Sequence, residues 1–397
     1  SYIFDVADGE ICRRPKNVKY VLLESGTSAE KTADLIAEQK PDIAVAIASG
    51  AVPFDWVPIK TGLIAEELNK KGIPTVANNT LVSVAAFDKW RSNIMFRSFV
   101  KAAKGIYIHH ELFFAEKKNP GVSMNVYKEY VFYRIKEMEF PVIVKDTLGA
   151  GSIGVEVMNS YEQVENFLNS DQNASDVMVE ELIQGEQFGT EIHGIEGRYS
   201  VLPPIAFSVN KDGITDPLSS VKFGPVTDPS YHFEKVQEIL LNMAQTLKFE
   251  GTVQVDLVYR NGEWYIIEIN PRWSGMTTTT AAMEGRNPLS IFVDSILGTD
   301  KNYSMKRNLK YALNFKMKAR SQEDLVRLYE NPHVDYIMQL ETAVVGMEKI
   351  NYCEVVISTG QGKEDILNIL NELGEEFPGL VSDEVKANTG ELVAKYQ

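Results

Sequence analysis

Two clusters of residues in this 397-residue chain have the types and spacing for chemistry on a polyphosphate. The first is Gly149-Ala-Gly151-Ser152-Ile-Gly154, with Lys145 on the segment leading into it. Its spacing fits G-x-G-x-x-G, the dinucleotide fingerprint, but that use needs a helix directly after the glycines to meet a pyrophosphate. Here Val155-Glu-Val-Met158 follows and reads as a strand. The loop is therefore expected to join two antiparallel strands as a flap whose backbone N–H groups close over phosphates. Lys145 supplies the cation beside it.

The second cluster is Asp256, Glu268, Asn270 and Arg272, on or just past a hairpin formed by 252–259 and 264–270 around Asn261-Gly262. A two-residue turn would pair Val255 with Glu268 and put Asp256 on the other face. A three-residue turn, Arg260-Asn261-Gly262, would pair Gln254 with Glu268. The three-residue turn is expected, because it segregates the faces cleanly. One face then carries Gln254, Asp256, Glu268 and Asn270. The other carries Val253, Val255, Leu257, Tyr259, Tyr265, Ile267 and Ile269. Carboxylate and amide oxygens beside an apolar wall suit Mg²⁺, which binds through one or two carboxylates plus substrate phosphates.

Two further segments are suggestive. Val177-Met-Val-Glu180-Glu181-Leu-Ile183-Gln-Gly185 reads as a strand running into a bend, where exposed backbone groups can pair with an adenine edge. The stretch 209–231 has three prolines, two glycines and no periodicity, with Lys222 near its middle. A long structureless loop in a compact domain is commonly a functional lid.

The elements that must position these residues follow from hydrophobic patterning. In the first ninety residues, strands at 18–23 and 43–48 alternate with helices at 29–39 and 59–71, which implies a parallel sheet. Antiparallel signals follow: strands at 142–145, 155–158, 178–181, 189–194 and 201–207, and helices at 161–168, 233–247 and 288–297. From about 304 a new alternation begins (Leu309, Tyr311, Leu313, Phe315, Met317), ending in a strand at 354–357 and a helix at 364–373. Three regions are expected: an N-terminal open parallel α/β domain over 1–95, a two-lobed central region over 96–303 with its flap lobe at about 115–185, and a small C-terminal α/β lobe over 304–397.

Composition narrows the partners. A net charge of −15 is opposed to nucleic-acid binding, which needs a basic face, but not to a nucleotide in a locally basic pocket. Two cysteines, Cys12 and Cys353, give neither a disulfide framework nor a metal cluster, and the expected compartment is the cytoplasm. No apolar run reaches the ~20 residues of a membrane helix, and the start does not read as a signal peptide.

Together these motifs resemble the ATP-grasp superfamily over roughly residues 80–300. Pro141-Val-Ile-Val-Lys145 with the loop 149–154 is similar to its phosphate lysine and flap, and Glu180-Glu181-Leu-Ile183 to its adenine hinge. Ile267-Glu268-Ile-Asn270-Pro-Arg272 is similar to its metal and catalytic signature, with Asp256 as the partner carboxylate. The resemblance implies that Asp256, Glu268 and Asn270 hold two Mg²⁺ ions, with Mn²⁺ as an alternative. It implies that Arg272 holds an acyl phosphate, assisted by Lys222 and by N–H groups near Ser274 and Gly275. Lys89, in Phe87-Asp88-Lys89, would reach the nucleotide phosphates; Glu186 or Gln187 would meet the ribose. The implied activity is ATP-dependent joining of a small carboxylate to an amine, releasing ADP and phosphate. The alternatives are a carboxylase working through carboxyphosphate and a nucleotide-binding regulatory protein without turnover. Small-molecule substrates, no nucleic acid, no membrane and a candidate homodimer complete the expectation. Against D-alanine–D-alanine ligases two departures stand out: Gln254 replaces an arginine, and Asn270-Pro-Arg-Trp-Ser-Gly275 replaces Asn-Thr-Ser-Pro-Gly.

Overall fold

The computed structural model describes residues 17–19, 21, 23–24, 26–47, 56–148, 154–195, 197–210, 213–216, 218–299, 308–319, 321–345 and 348–396. Near the N-terminus, Ala44–Val45 (β1) and Thr75–Val76 (β2) pair in parallel, with helices Ala29–Glu38 and Val57–Lys70 beside them. This is the open α/β arrangement expected, although the strand foreseen at 43–48 is only two residues long in the described part. The strand foreseen at 18–23 is absent from its described residues; positions 20 and 22 lie outside them.

A second sheet holds Gly105–Ile108 (β3), Val142–Asp146 (β4), Val155–Met158 (β5) and Val177–Glu181 (β6), all antiparallel, in the order β3-β6-β4-β5. Period-two alternation divides its faces. Val142, Val144, Val177 and Val179 pack into this lobe's own core with Ile108, Val131 and Leu168. Ile143, Lys145, Met178 and Glu180 face a cleft.

The third sheet is the largest. Glu186–Ile195 (β7), Arg198–Val201 (β8), Ile205–Phe207 (β9), Lys222–Gly224 (β10), Gly251–Arg260 (β11), Glu263–Asn270 (β12), Tyr311–Lys318 (β13), Val334–Val345 (β14) and Glu348–Thr359 (β15) form it. Its order is β12-β11-β7-β9-β10-β13-β15-β14, with β8 paired to β7. Three expectations change here. The strand foreseen at 201–207 is split into β8 and β9. The loop 209–231 is not structureless, since β10 threads it into the sheet between β9 and β13. The C-terminal segment does not build a sheet of its own: β13, β14 and β15 continue the central one, and helices Asp365–Glu376 and Asp383–Lys395 bury Leu370, Leu373 and Val385 against the same core as Val253 and Val255.

The hairpin β11–β12 departs from its expected register in an instructive way. Asn261 (φ 53°) and Gly262 (φ 81°) both adopt left-handed backbone, so the turn has two residues and Arg260 faces Glu263. Asn-Gly is the pair best suited to that turn. Such a register would by itself separate Asp256 from Glu268. A β-bulge intervenes: Leu257 pairs with Ile266, but Asp256 pairs with Glu268, leaving Ile267 as the extra residue. The bulge restores Gln254, Asp256, Glu268 and Asn270 to one face. It also reassigns the turn-proximal half. Tyr265 and Ile267 pack with Val258, Ala103 and Ile183, while Trp264 and Ile266 join the main core. Bulges recur beside functional sites because they re-aim side chains.

Candidate ATP and metal site

Two adjoining cavities open on the large sheet, one against the helices that carry Pro58, Ser83 and Lys89 and one against the small sheet. The first, about 310 Å³, is lined by Lys89, Lys222, Gln254, Asp256, Glu268, Asn270, Arg272 and Lys316. The second, about 160 Å³, is lined by Lys145, Glu180, Gln187 and the apolar Ile143, Val155, Met178, Leu257 and Ile267. Lys89, Asp256 and Glu268 border both, so the cavities meet at the carboxylates. The second cavity, walled in part by apolar side chains, suits a flat base beside its phosphates; the first suits the reacting phosphate and a second substrate.

Each side chain is set by its element. Asp88 caps helix Lys89–Phe96 by accepting from the N–H groups of Trp90 and Arg91, which fixes Lys89 at the first helical position. Its Nζ lies 3.5 Å from Glu268 Oε1. Lys145 Nζ donates to Glu180 Oε1 at 2.5 Å, and Asn93 Nδ2 donates to Glu180 Oε2 at 3.1 Å. Glu180 is almost fully buried, so these donors are what make its charge tolerable there. Gln254 Nε2 donates to Asp256 Oδ1 at 2.8 Å, and Arg272 Nη2 donates to Asn270 Oδ1 at 3.3 Å.

The electrostatics of the carboxylate pair point to a cation. Burial, followed by the facing charge of Glu268, pushes the Asp256 carboxyl up to about 7; the Gln254 hydrogen bond and the charges of Lys222 and Arg272 offset only part of this. Like charges directly opposite across two strands destabilise the pair, and a divalent ion between them reverses the sign. Among the described residues no three His, Cys, Asp or Glu gather as an all-protein cage. Two carboxylates with amide oxygens instead fit an ion that is completed by substrate phosphates.

This arrangement has a measurable consequence. A carboxyl whose folded value lies above its unfolded one (about 3.9) keeps its proton longer in the folded state, so its contribution to stability falls as pH rises from about 4 to about 7. Asp256→Asn removes that loss. In EDTA the variant is expected to be more stable than the parent by about 2 kcal/mol at pH 8, and by less at pH 5. Thermal melts at the two pH values check this; an equal shift at both would contradict the account of a buried Asp256 carboxylate facing Glu268.

Not every expected residue enters the cleft. Gly149, Gly151 and Ser152 lie outside the described residues; Gly154 adopts φ 71° directly before β5. Of the two candidates for the ribose, Gln187 lines the cavity and donates to Gly213 O. Glu186 turns the other way, because successive strand residues face opposite sides. It accepts from Tyr231 Oη at 2.5 Å and Tyr396 Oη at 3.0 Å, beside the core ring of Phe188. Glu181 faces Arg260 at 3.6 Å, and Ile183 is packed with Ala103 and Val258.

Ser274 and Gly275 are buried at the start of helix Gly275–Glu284. The Ser274 N–H is taken by Thr277 Oγ1 and that of Met276 by Ser274 Oγ, so this capping box occupies donors expected to face an acyl oxygen. Conversely, sequence reading passed over Lys316, Asn314 and Glu354. Lys316 was within reach of it: the alternation that buries Leu313, Phe315 and Met317 puts Asn314 and Lys316 on the opposite face.

Comparison with known proteins finds a domain match over part of the chain. A model of the ATP-grasp domain matches residues 111–276. This chain carries an ATP-grasp domain. The carbamoyl-phosphate synthase of Methanobrevibacter smithii is 28% identical over 178 residues, covering 44% of this chain and 47% of that protein. The match thus spans about half the length of that relative. The D-alanine–D-alanine ligase of Fervidobacterium nodosum is 24% identical over 245 residues, covering 58% of this chain and 73% of the ligase. Among solved structures, the biotin carboxylase domain of Hydrogenobacter thermophilus 2-oxoglutarate carboxylase, a dimer with MgADP, ADP and bicarbonate, superposes with a TM-score of 0.61 at 17% identity, covering 87% of this chain and 76% of that one. The ATP-grasp fold and a distant similarity to both kinds of enzyme are therefore established. No helix among the described residues is long and apolar enough to cross a membrane.

Proposed function

We propose that this ATP-grasp chain is an ATP-dependent carboxylate–amine ligase that works through an acyl phosphate. The observation that carries the reading is the facing pair Asp256 and Glu268 at the junction of the two cavities, with Lys145 on one side, Arg272 and Lys222 on the other and Lys89 bordering both. ATP places its base against Ile143, Met178, Leu257 and Ile267, and its phosphates against Lys145, Lys89 and the flap. Asp256, Glu268 and Asn270 would hold Mg²⁺, which would supply charge neutralisation to the nucleotide phosphates. The acid substrate occupies the larger of the two cavities, where its carboxylate attacks the γ-phosphorus, the bond to the β-phosphate oxygen breaks and ADP leaves. Arg272 and Lys222 stabilise the acyl phosphate formed, and the amine then displaces phosphate. Catalysis of this kind is mostly positioning and charge neutralisation.

A screen of small acids, with and without amines, tests this by ADP release and mass spectrometry of any condensed product. The expected result is slow ADP release with one acid and strong acceleration by one amine. Bicarbonate-dependent ADP release with no amine effect would instead indicate a carboxylase. No acid-dependent ADP release at all would contradict both.

A further inference from the structure

We propose that Glu354, a carboxylate of the C-terminal segment, is a positioning residue of this site: it holds the Lys222 ammonium at the substrate end of the cleft, and position 275 is glycine because that carboxylate occupies the space. The proposal deepens the ligase reading and rests on it for the role of Lys222.

Glu354 lies on β15, at 3% exposure, under the first turn of helix Gly275–Glu284. Its Oε1 accepts from Asn314 Nδ2 at 2.5 Å and lies 3.3 Å from Lys222 Nζ. Burial alone would raise its pKa; the charge of Lys222, the Asn314 hydrogen bond and the charge of Lys316 outweigh that and hold it below the usual glutamate range. A buried carboxylate is costly unless paired and hydrogen-bonded, so this one marks a site where its charge is used.

These four residues come from three adjacent strands: Lys222 stands opposite Asn314, and Lys316 opposite Glu354. Asn314 is itself fixed, donating to Gly275 O at 3.1 Å and to Thr279 Oγ1 at 2.9 Å. A β-carbon on Gly275 would fall 2.1 Å from Glu354 Oε1 and 2.7 Å from its carboxyl carbon. No side chain fits there unless the carboxylate leaves. Gly275 is thus explained by packing, where the sequence alone pointed to an oxyanion donor. The network joins the helix that follows Arg272 to a lysine that lines the same cavity. A lysine with four rotatable bonds is otherwise free to sweep. Anchored to a buried acid, its ammonium stays at the cavity wall beside Asp256 and Arg272.

The test uses the full chain and two readouts. The first is kcat and the KM for ATP in ADP release, for E354Q, K222A and the double variant. The second is acetylation of Lys222 by acetic anhydride at fixed pH, measured by mass spectrometry against exposed Lys70. E354Q is expected to lower kcat by about 10- to 100-fold with little change in the KM for ATP, and to raise Lys222 acetylation several-fold. In the K222A background E354Q should cost less than about twofold, because Glu354 acts through that lysine. Gly275→Ala should reproduce the E354Q labelling although neither partner is altered. A merely structural Glu354 would give additive losses and unchanged labelling in folded protein, and either result overturns the proposal. If E354Q does not fold, E354D is read in the same way: unchanged labelling overturns the proposal and intermediate labelling supports it. If the parent chain releases no ADP with any acid, the ligase reading fails, while the labelling still decides whether Glu354 anchors Lys222.

Discussion

Replacing Glu268 by glutamine is expected to lower turnover by at least about 10³-fold while leaving the fold intact. Glu268 borders both cavities, faces Asp256 across the hairpin and lies 3.5 Å from Lys89. Glutamine preserves the shape and one acceptor oxygen but removes the charge that a divalent ion needs. Loss of a single charge-stabilising group commonly costs about 10²–10³ in rate, and a lost metal ligand also misplaces the phosphates. Stability should not fall in metal-free protein, because the substitution relieves the repulsion that pushes up the Asp256 carboxyl. ADP release and a melting curve with and without Mg²⁺ check both halves. Less than a tenfold loss with an unchanged melt would remove Glu268 from the metal site.

Lys145→Ala should cost about 10²–10³ in rate and raise the KM for ATP, because the proposed contact is made to ground-state phosphates as well. The structure adds a second effect. Lys145 is paired to buried Glu180, so truncation strands a carboxylate and should destabilise the chain by about 3 kcal/mol. The two effects separate in the double variant with Glu180→Gln, which should regain melting temperature but not rate. If the double variant regains the rate, Lys145 acts only as the partner of Glu180 and its phosphate role is wrong.

What the sequence revealed about this site follows from period-two patterning. It placed Asp256, Glu268 and Asn270 on one hairpin and Lys145 on the strand before the flap, because apolar alternation is written locally. It misjudged how the faces are kept together. The Asn-Gly turn has two residues, and a bulge at Ile267, which no local propensity announces, resets the register. It also misplaced residues whose surroundings are set by distant chain. Glu186 is drawn to Tyr231 and Tyr396, the latter 210 positions away. Gly275 answers to Glu354, and Lys222 lies on a strand paired between β9 and β13. Both cases depend on the C-terminal strands completing the central sheet, which hydrophobic periodicity cannot reveal.

The central claim is attack of a substrate carboxylate on the γ-phosphorus of ATP. The most direct measurement follows the oxygen: an acid substrate labelled with ¹⁸O in its carboxylate is turned over with the amine, and the products are analysed by mass spectrometry. The account predicts ADP, with one ¹⁸O carried into each inorganic phosphate, because the attacking oxygen leaves with the phosphoryl group. AMP and pyrophosphate would contradict it, since attack would then be at the α-phosphorus, and so would ADP with phosphate free of label.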